Sequence, residues 1–511
     1  MSDRPLISLT MIVKNEEANL ARVLESARDI ADELVVVDTG STDRTVEIAR
    51  AHGAKVCHFA WIDDFSAARN FAIEQASGDW ILILDGDDVA LETAPGALRA
   101  EVAAQPADVF FLRVPVRSPR ADAQGFTVIG SRRVFRRCPE IRWHNAIHEV
   151  LNHASLEHTP IEVGSASLTI DHVGYLDMKH RRAERKNQRN LRILKQVLAA
   201  NPNDARWPYY LAKEHASAGH HATALKIIRR ALRSYGGGIR PDFEGAMRCL
   251  AMNVALTLGK PSLAVELGLP SVSSYAYSEL CYTLGRAYAA LGDAAQAERY
   301  FRLAIALRGR AAEFQKEAGA GSWKAMIELG FLAWNAGERD LALERWRSAY
   351  DWAPDQALTN LALGQGLLAT GAGAEAEPLL RRATELAPSL ADAHLRLGQA
   401  LVALGRRQEA YDHLERLTRE QPEDPRYWIW LADLLLALGE DPACADLLGR
   451  AIARHDRVAP IYERLGLSLH RLGRLEDALN AFALAATFDP ASTTARAAFV
   501  QTQAALARAA A

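Results

Sequence analysis

The sequence predicts an α/β domain on a mostly parallel sheet, followed by an all-α solenoid of repeated helix pairs. Two observations carry this prediction. Before residue 180, short β-rich runs alternate with helical stretches, the pattern of strand–helix–strand units. Farther along, Gly337, Gly371, Gly405, Gly439 and Gly473 recur every 34 residues, a period that marks stacked helix pairs.

Bulk properties narrow the function classes. At 511 residues the chain exceeds one ordinary core, so at least two domains are expected. Hydrophobic residues make up 49% and charged residues 24%, the balance of a folded soluble chain. With 60 Lys+Arg against 63 Asp+Glu, nothing in the whole-chain charge calls for nucleic acid. The five cysteines are scattered, without a Cys-x-x-Cys pair, and support neither a zinc site nor a disulfide framework. No apolar run reaches the roughly 18 residues of a membrane span, and a cytoplasmic setting is expected.

The first strand is expected at Leu6 to Val13, interrupted by Ser8 and Thr10 and closed by Lys14-Asn15-Glu16-Glu17. A helix over Glu17 to Arg28 follows, then a strand over Leu34 to Val37 that runs into Asp38-Thr39-Gly40-Ser41-Thr42-Asp43. Thr42-Asp43 would cap the next helix, to His52. Further strands are expected at Ala54 to His58, Trp80 to Leu84 and Val109 to Val116. The fourth ends in Asp85-Gly86-Asp87-Asp88. Carboxylates at the C-terminal edge of an open α/β sheet lie where ligands of such folds bind, and hard oxygen ligands suit Mg²⁺ or Mn²⁺ on a diphosphate. The competing reading is an acidic turn in which Asp and Gly serve only the backbone. A stretch rich in Lys, Arg and His, Met178 to Gln196, then reads either as a solvated connecting helix or as a phosphate or nucleic-acid patch.

In the second half, Gly330, Gly364, Gly398, Ala432 and Gly466 keep the same period, as do Ala342, Ala376, Ala410, Cys444 and Ala478, and Pro354, Pro388, Pro422 and Pro490. Small residues let paired helices approach, and Pro ends the second helix of each unit. This is the signature of tetratricopeptide repeats. Gly219, Gly259 and Gly292 extend it toward the N-terminus with irregular spacing, including an insertion around Arg308 to Ser322. Roughly seven units over about residues 201 to 490, with an Ala-rich capping helix, are expected.

Ile7 to Glu16, Val35 to Thr45, Ala68-Arg69-Asn70 and Leu84 to Asp88 resemble, in order and spacing, the successive motifs of family 2 glycosyltransferases of the GT-A fold. Arg133 to Arg137, Trp143, His148-Glu149 and Asp171-His172-Val173-Gly174-Tyr175 resemble a branch containing lipopolysaccharide-core glucosyltransferases and bacteriocin peptide glycosyltransferases, some joined to tetratricopeptide repeats. The resemblance implies that Thr10, Asn15 and Glu16 lie beside the nucleoside and that Asp38 holds base or ribose. Many members carry a second Asp after the first, where this chain has Thr39. Arg69 would face the diphosphate, for which a guanidinium fork is suited. Asp85 and Gly86 would sit toward the donor ribose, Asp87 at the metal, and His172 would complete a Mn²⁺ or Mg²⁺ site, with Asp88 as a further ligand. Against this stands a simple strand-end role for His172. Glu149 would take the acceptor proton as general base, with His148 the runner-up.

The expected organisation is a GT-A domain over 1–176, a basic connecting helix over 177–200 and repeats over 201–511. The expected activity is inverting transfer of a sugar from a nucleotide donor, UDP in the first instance, to a protein or peptide presented by the repeats. Two alternatives stand beside it: a saccharide acceptor, and a repeat-based binding scaffold with an inactive transferase domain. The repeats could instead serve self-association into a homo-oligomer.

Overall fold

The computed structural model describes residues 6–119, 126–153, 163–172, 180–235, 238–308 and 319–509. Its packing divides the chain into two compact units, Met1–Leu332 and Ala333–Ala511.

The first unit begins with β1 (Ile7–Val13), α1 (Leu20–Ala27), β2 (Glu33–Asp38), α2 (Thr45–Ala51), β3 (Lys55–His58), α3 (Phe65–Gln75), β4 (Trp80–Ile83), β5 (Asp88–Leu91) and α4 (Ala97–Ala103). It continues with β6 (Phe111–Pro119), β7 (Phe126–Arg136), β8 (Ile141–His144), β9 (Val150–His153), β10 (Val163–Ser165) and β11 (Thr169–His172). The main sheet runs β3-β2-β1-β4-β7-β6-β11-β5, with β10 beside β6, while β8 and β9 form a separate hairpin. β1 pairs in parallel with β2 on one side and β4 on the other. The chain therefore reverses its direction of strand addition at β1, and the crevice beyond β1 and β4 is the topological switch point.

Burial follows from this arrangement. β1 is apolar apart from Ser8 and Thr10 and buried at every position but Ile12, as expected of a central strand covered on both faces. Val36 and Leu82 join the cluster on one face, with Leu9 and Met11, whereas Val35 and Ile81 join Phe111 and Phe135 on the other, the period-2 alternation of a strand. α1 buries Leu20, Val23, Leu24 and Ala27, an i, i+3, i+4, i+7 stripe.

The five expected strands are present at shifted boundaries, but the sheet is more mixed than the sequence suggests. β4–β7, β6–β7 and β11–β5 are antiparallel; β5 and β7 to β10 carry no strand expectation from the sequence, whereas β11 ends at His172, in line with the strand-end reading of that residue. α2 starts later than Thr42-Asp43 would have it, although Asp43 Oδ1 does accept from the Thr45 amide at 3.0 Å.

Helices then follow: α5 (His180–Ala200), α6 (Arg206–Ser217), α7 (His221–Ser234), α8 (Pro241–Thr257), α9 (Pro261–Ser274), α10 (Ser278–Ala290), α11 (Ala294–Ala306) and α12 (Trp323–Asn335). The second unit continues with α13 (Arg339–Trp352), α14 (Ala357–Ala369), α15 (Gly373–Leu386), α16 (Ala391–Ala403), α17 (Arg407–Glu420), α18 (Pro425–Leu438), α19 (Asp441–Ile452), α20 (Ala459–Arg471), α21 (Leu475–Phe488) and the cap α22 (Thr493–Ala509). Among the described residues, α6 to α21 are sixteen helices in sequence, enough for eight units, one more than expected; Gly219 and Gly259 mark the turns of two consecutive units, and the wider spacing reflects the longer α8. Most of the insertion after Arg308 lies outside the described residues, as do Val173-Gly174-Tyr175.

The two glycine series have different jobs. Gly337, Gly371, Gly405, Gly439 and Gly473 adopt φ between 76° and 87°, and a Cβ there would meet nothing within 4 Å. They stop helices in the left-handed conformation and do not serve close approach, which corrects the expectation for this series. Close approach belongs to the other: a Cβ at Gly364 would lie 2.8 Å from Leu380, and one at Gly466 would lie 2.7 Å from Phe482.

Candidate functional site

The parallel register aligns Val13 with Asp38 and Asp38 with His58, so the loops after β1 and β2 share one edge with Asp85 after β4. Asp38 Oδ1 accepts from the Ser41 amide at 3.0 Å and Oδ2 from the Gly40 amide at 3.2 Å. Burial would raise this carboxyl, but the hydrogen bonds from Ser41, Gly40 and His58 hold it below its ordinary value. Asn15, at φ 56°, takes its amide hydrogen bond to Ser41 Oγ at 3.0 Å and accepts from the Thr42 amide at 2.8 Å. The Glu16 amide donates to Thr45 Oγ1 at 2.8 Å. Its side chain lies against Gly86, where a Cβ would come within 2.7 Å of Glu16 Cγ. Gly86 thus lets the β1 and β4 loops close on each other. Thr10 is buried in mid-strand, paired with Val35 and Ile83.

Arg69 projects from α3, whose N-terminus is capped by Asp64 accepting from the Ala67 amide at 2.9 Å. Asn70, next along, locks α3 to β8 reciprocally with Trp143: Nδ2 to the carbonyl at 3.0 Å, and the Trp143 amide to Oδ1 at 2.9 Å. So oriented, Arg69 places Nη2 2.8 Å from Asp85 Oδ1 and Nε 3.1 Å from Glu149 Oε1. Its guanidinium lies over the Trp143 ring. Arg133 from β7 supplies the second cation, 3.0 Å from Asp85 Oδ2 and 3.4 Å from Asp88 Oδ2. Burial opposes ionisation of Asp85, yet Arg133 and Arg69 hold its carboxyl far below the ordinary range.

Asp87, Asp88 and His172 converge with ligand atoms within 4.8 Å of one another. The β11–β5 register sets His172 opposite Asp88, and Nδ1 lies 2.7 Å from Asp88 Oδ1 and 3.4 Å from Asp87 Oδ1. Asp88 is fully buried and also accepts from the Asp85 amide at 2.9 Å. Its oxygens thus meet His172, the Asp85 amide and Arg133, which ties the acidic loop, β11 and β7 together at this point. Burial raises Asp87; His172 pulls the other way, and the carboxylates Asp85, Asp88 and Glu16 add to the rise. Two carboxylates and an imidazole, crowded by like charge, fit Mn²⁺ or Mg²⁺.

Glu149 and His148 lie on the β8–β9 loop. Asn145 and His148 take φ of 73° and 54°, conformations that cost about 1–3 kcal/mol each outside glycine. The surroundings hold them there. The Phe65 amide donates to the Ala146 carbonyl at 2.9 Å, and Ser66 Oγ to the Asn145 carbonyl at 2.6 Å. Ile147 packs with Ile193 and Leu194 of α5 and with Trp207 and Leu211 of α6. His148 stacks on Tyr210, with centroids 3.8 Å apart and planes at 16°. Burial, and then Lys213, push His148 down to about 4, so it is neutral at pH 7, and its Nε2 is buried without a hydrogen-bond partner among the described residues.

The structure therefore brings together Glu16, Arg69, Asp85, Gly86, Asp87, Glu149 and His172. Asn15 and Asp38 shape the adjoining loops, Thr10 lies deeper in the sheet, and His148 is turned to the first helix pair. Arg133 has no role that the sequence motif points to; an arginine in a strand carries no sequence signal for partners brought in by other elements. α5, expected as a solvated connector, buries Ile193 and Leu194, sets Arg189 over Phe65 at 4.8 Å and pairs Arg192 with Asp63 at 2.6 Å. The five cysteines are free thiols. No helix among the described residues is long and apolar enough to cross a membrane.

Residues 8–170 match the family model described as Glycosyl transferase family 2. Three tetratricopeptide-repeat models match residues 278–310, 367–429 and 443–493. A TPR repeat-containing protein of Synechococcus elongatus is 45% identical over 152 residues, 29% of this chain and 36% of its own. The SPbeta prophage-derived glycosyltransferase SunS of Bacillus subtilis is 28% identical over 239 residues, 46% of this chain and 55% of its own. An uncharacterized glycosyltransferase of Rickettsia typhi is 44% identical over 82 residues, 16% of this chain and 28% of its own. The chain thus spans between about a quarter and about half the length of these relatives. A solved tetratricopeptide repeat protein from Parabacteroides merdae overlaps 51% of this chain and 99% of its own at 15% identity, with a TM-score of 0.39.

Proposed function

We propose that this chain, a family 2 glycosyltransferase domain followed by tetratricopeptide repeats, is an inverting, metal-dependent glycosyltransferase that moves a sugar from a UDP-linked donor to a protein or peptide held by the repeats. The observation that carries this reading is the convergence of Asp87 and His172 with the Arg69-linked pair Asp85 and Glu149 at the switch point of the sheet. A family match alone would leave the chemistry open.

The reaction is a single displacement. The acceptor nucleophile forms its bond to the anomeric carbon as the bond from that carbon to the diphosphate oxygen breaks, and Glu149 receives the acceptor proton. Asp87 and His172 would hold the divalent cation, which stabilises the negative charge gathering on the diphosphate. Arg69 and Arg133 keep Asp85 ionised and fixed, and Asp88 holds His172 in place. The ordered loops of Asn15 and Asp38 line the approach for the nucleoside. Arg69 also sets where Glu149 points.

Incubating the chain with a panel of nucleotide sugars, with Mn²⁺ or Mg²⁺, tests this. Donor turnover that requires the cation and rises with a protein or peptide acceptor is expected. A flat result against every donor would leave the repeats as the functional part, a binding scaffold carrying an inactive domain.

A further inference from the structure

We propose that the first repeat is a working part of the transfer site, with Tyr210 of α6 positioning Glu149 through its stack on His148. The proposal rests on the transferase reading above.

Three observations lead to it. First, Glu149 directly follows His148, a non-glycine residue in the left-handed region at φ 54°, so a change in the backbone at His148 redirects Glu149. Second, the His148 ring meets Tyr210 face to face at 3.8 Å and 16°. The buried Nε2 of His148 has no hydrogen-bond partner among the described residues, so the stack on Tyr210 is a principal contact of this side chain. Third, Ile147 on the other side of His148 is seated among Ile193, Leu194, Trp207 and Leu211. The loop is thus held from α3 at its start, from α5 and α6 in its middle and from Arg69 at Glu149. Without the α6 contribution the loop keeps its ties to α3 and α5, but His148 loses its ring contact, and at the carboxylate itself Arg69 reaches one oxygen.

A positioned general base is sensitive to small displacements, and a shift of about 1 Å can reduce turnover on the order of 100-fold. Donor binding is a separate matter, because among the described residues no contact joins Tyr210 to the loops of Asp38, Asp85 and Asp87. The proposal therefore separates the two steps.

The test uses the full chain with Tyr210→Ala, Tyr210→Leu and Tyr210→Phe, each assayed with a nucleotide sugar and acceptor on which the unaltered chain is active, and each titrated with UDP and Mn²⁺ by calorimetry. Tyr210→Ala and Tyr210→Leu are expected to lower kcat by roughly 10–100-fold, while the donor KM and UDP affinity stay where they were. Tyr210→Phe, which keeps the ring, is expected to restore kcat. The role is overturned if Tyr210→Leu keeps the full kcat, if Tyr210→Phe loses as much as Tyr210→Leu, or if UDP affinity falls in step with kcat. Should Tyr210→Ala fail to fold, the Leu and Phe pair decides alone. An unaltered chain inactive on every donor would instead overturn the transferase reading, a different result from an active chain indifferent to Tyr210.

Discussion

Arg69 Nε stands 3.1 Å from Glu149 Oε1, and the same guanidinium reaches Asp85 through Nη2 at 2.8 Å. One rigid fork therefore spans the carboxylate at the end of β4 and the carboxylate proposed as base. A lysine has a point charge on a flexible stem and cannot hold both. Arg69→Lys should reduce kcat/KM by roughly 100-fold or more, the scale seen when one preorganised donor is lost. Steady-state rates of donor turnover check this, and near-normal activity would remove the bridge from the mechanism.

Asp87 and His172 carry the metal argument. Asp87→Ala should abolish cation-dependent transfer while leaving the far-UV signature of the fold intact. Chelation of the unaltered chain should stop turnover, and Mn²⁺ or Mg²⁺ should restore it. Transfer that persists in EDTA at its original rate would contradict the assignment.

His148 predicts a pH dependence of stability. Its folded pKa is depressed to about 4 from an ordinary 6.5, so between these values the unfolded chain binds more protons than the folded one. Stability from this site is fully present above about 6.5 and is lost as the pH falls toward 4. Thermal melts across that window should therefore decline more steeply for the unaltered chain than for His148→Asn, which has no proton to gain. Parallel declines would show that acid sensitivity lies elsewhere.

Two helical glycines at equivalent repeat positions should respond in opposite directions. A Cβ at Gly398 would sit 3.6 Å from Leu414, an ordinary contact, so Gly398→Ala should stabilise by about 0.5–1 kcal/mol. At Gly466 the same atom would come 2.7 Å from Phe482, and Gly466→Ala should destabilise by about 1–3 kcal/mol. Urea unfolding of the two variants gives the comparison, and equal signs would count against the packing described.

Much of this architecture was readable from the chain. Central strands such as Ile7–Val13 and Trp80–Ile83 are nearly continuous apolar runs because both faces are covered, and the 34-residue period survives because each repeat buries the same positions. β7 was not legible: its Ser131-Arg132-Arg133 stretch looks like surface, although Arg133 is half-buried against Asp85 and Asp88. A cation turns inward only when its partners arrive from other elements. Asp88 shows the same dependence on distant elements: its contact with His172, at 2.7 Å, exists only because β11 pairs with β5. The role of α5 was hidden because its few apolar residues, among them Ile193 and Leu194, lie within a run of arginines and lysines.

The left-handed glycines at 337, 371, 405, 439 and 473 share nearly one backbone angle and an unobstructed setting. Each is therefore an interchangeable splice point. Cutting the chain at one and rejoining it at the next removes 34 residues while presenting the following helix with the junction it already had. Such an array can be lengthened or shortened by whole periods, through duplication or excision, without redesign of the joints.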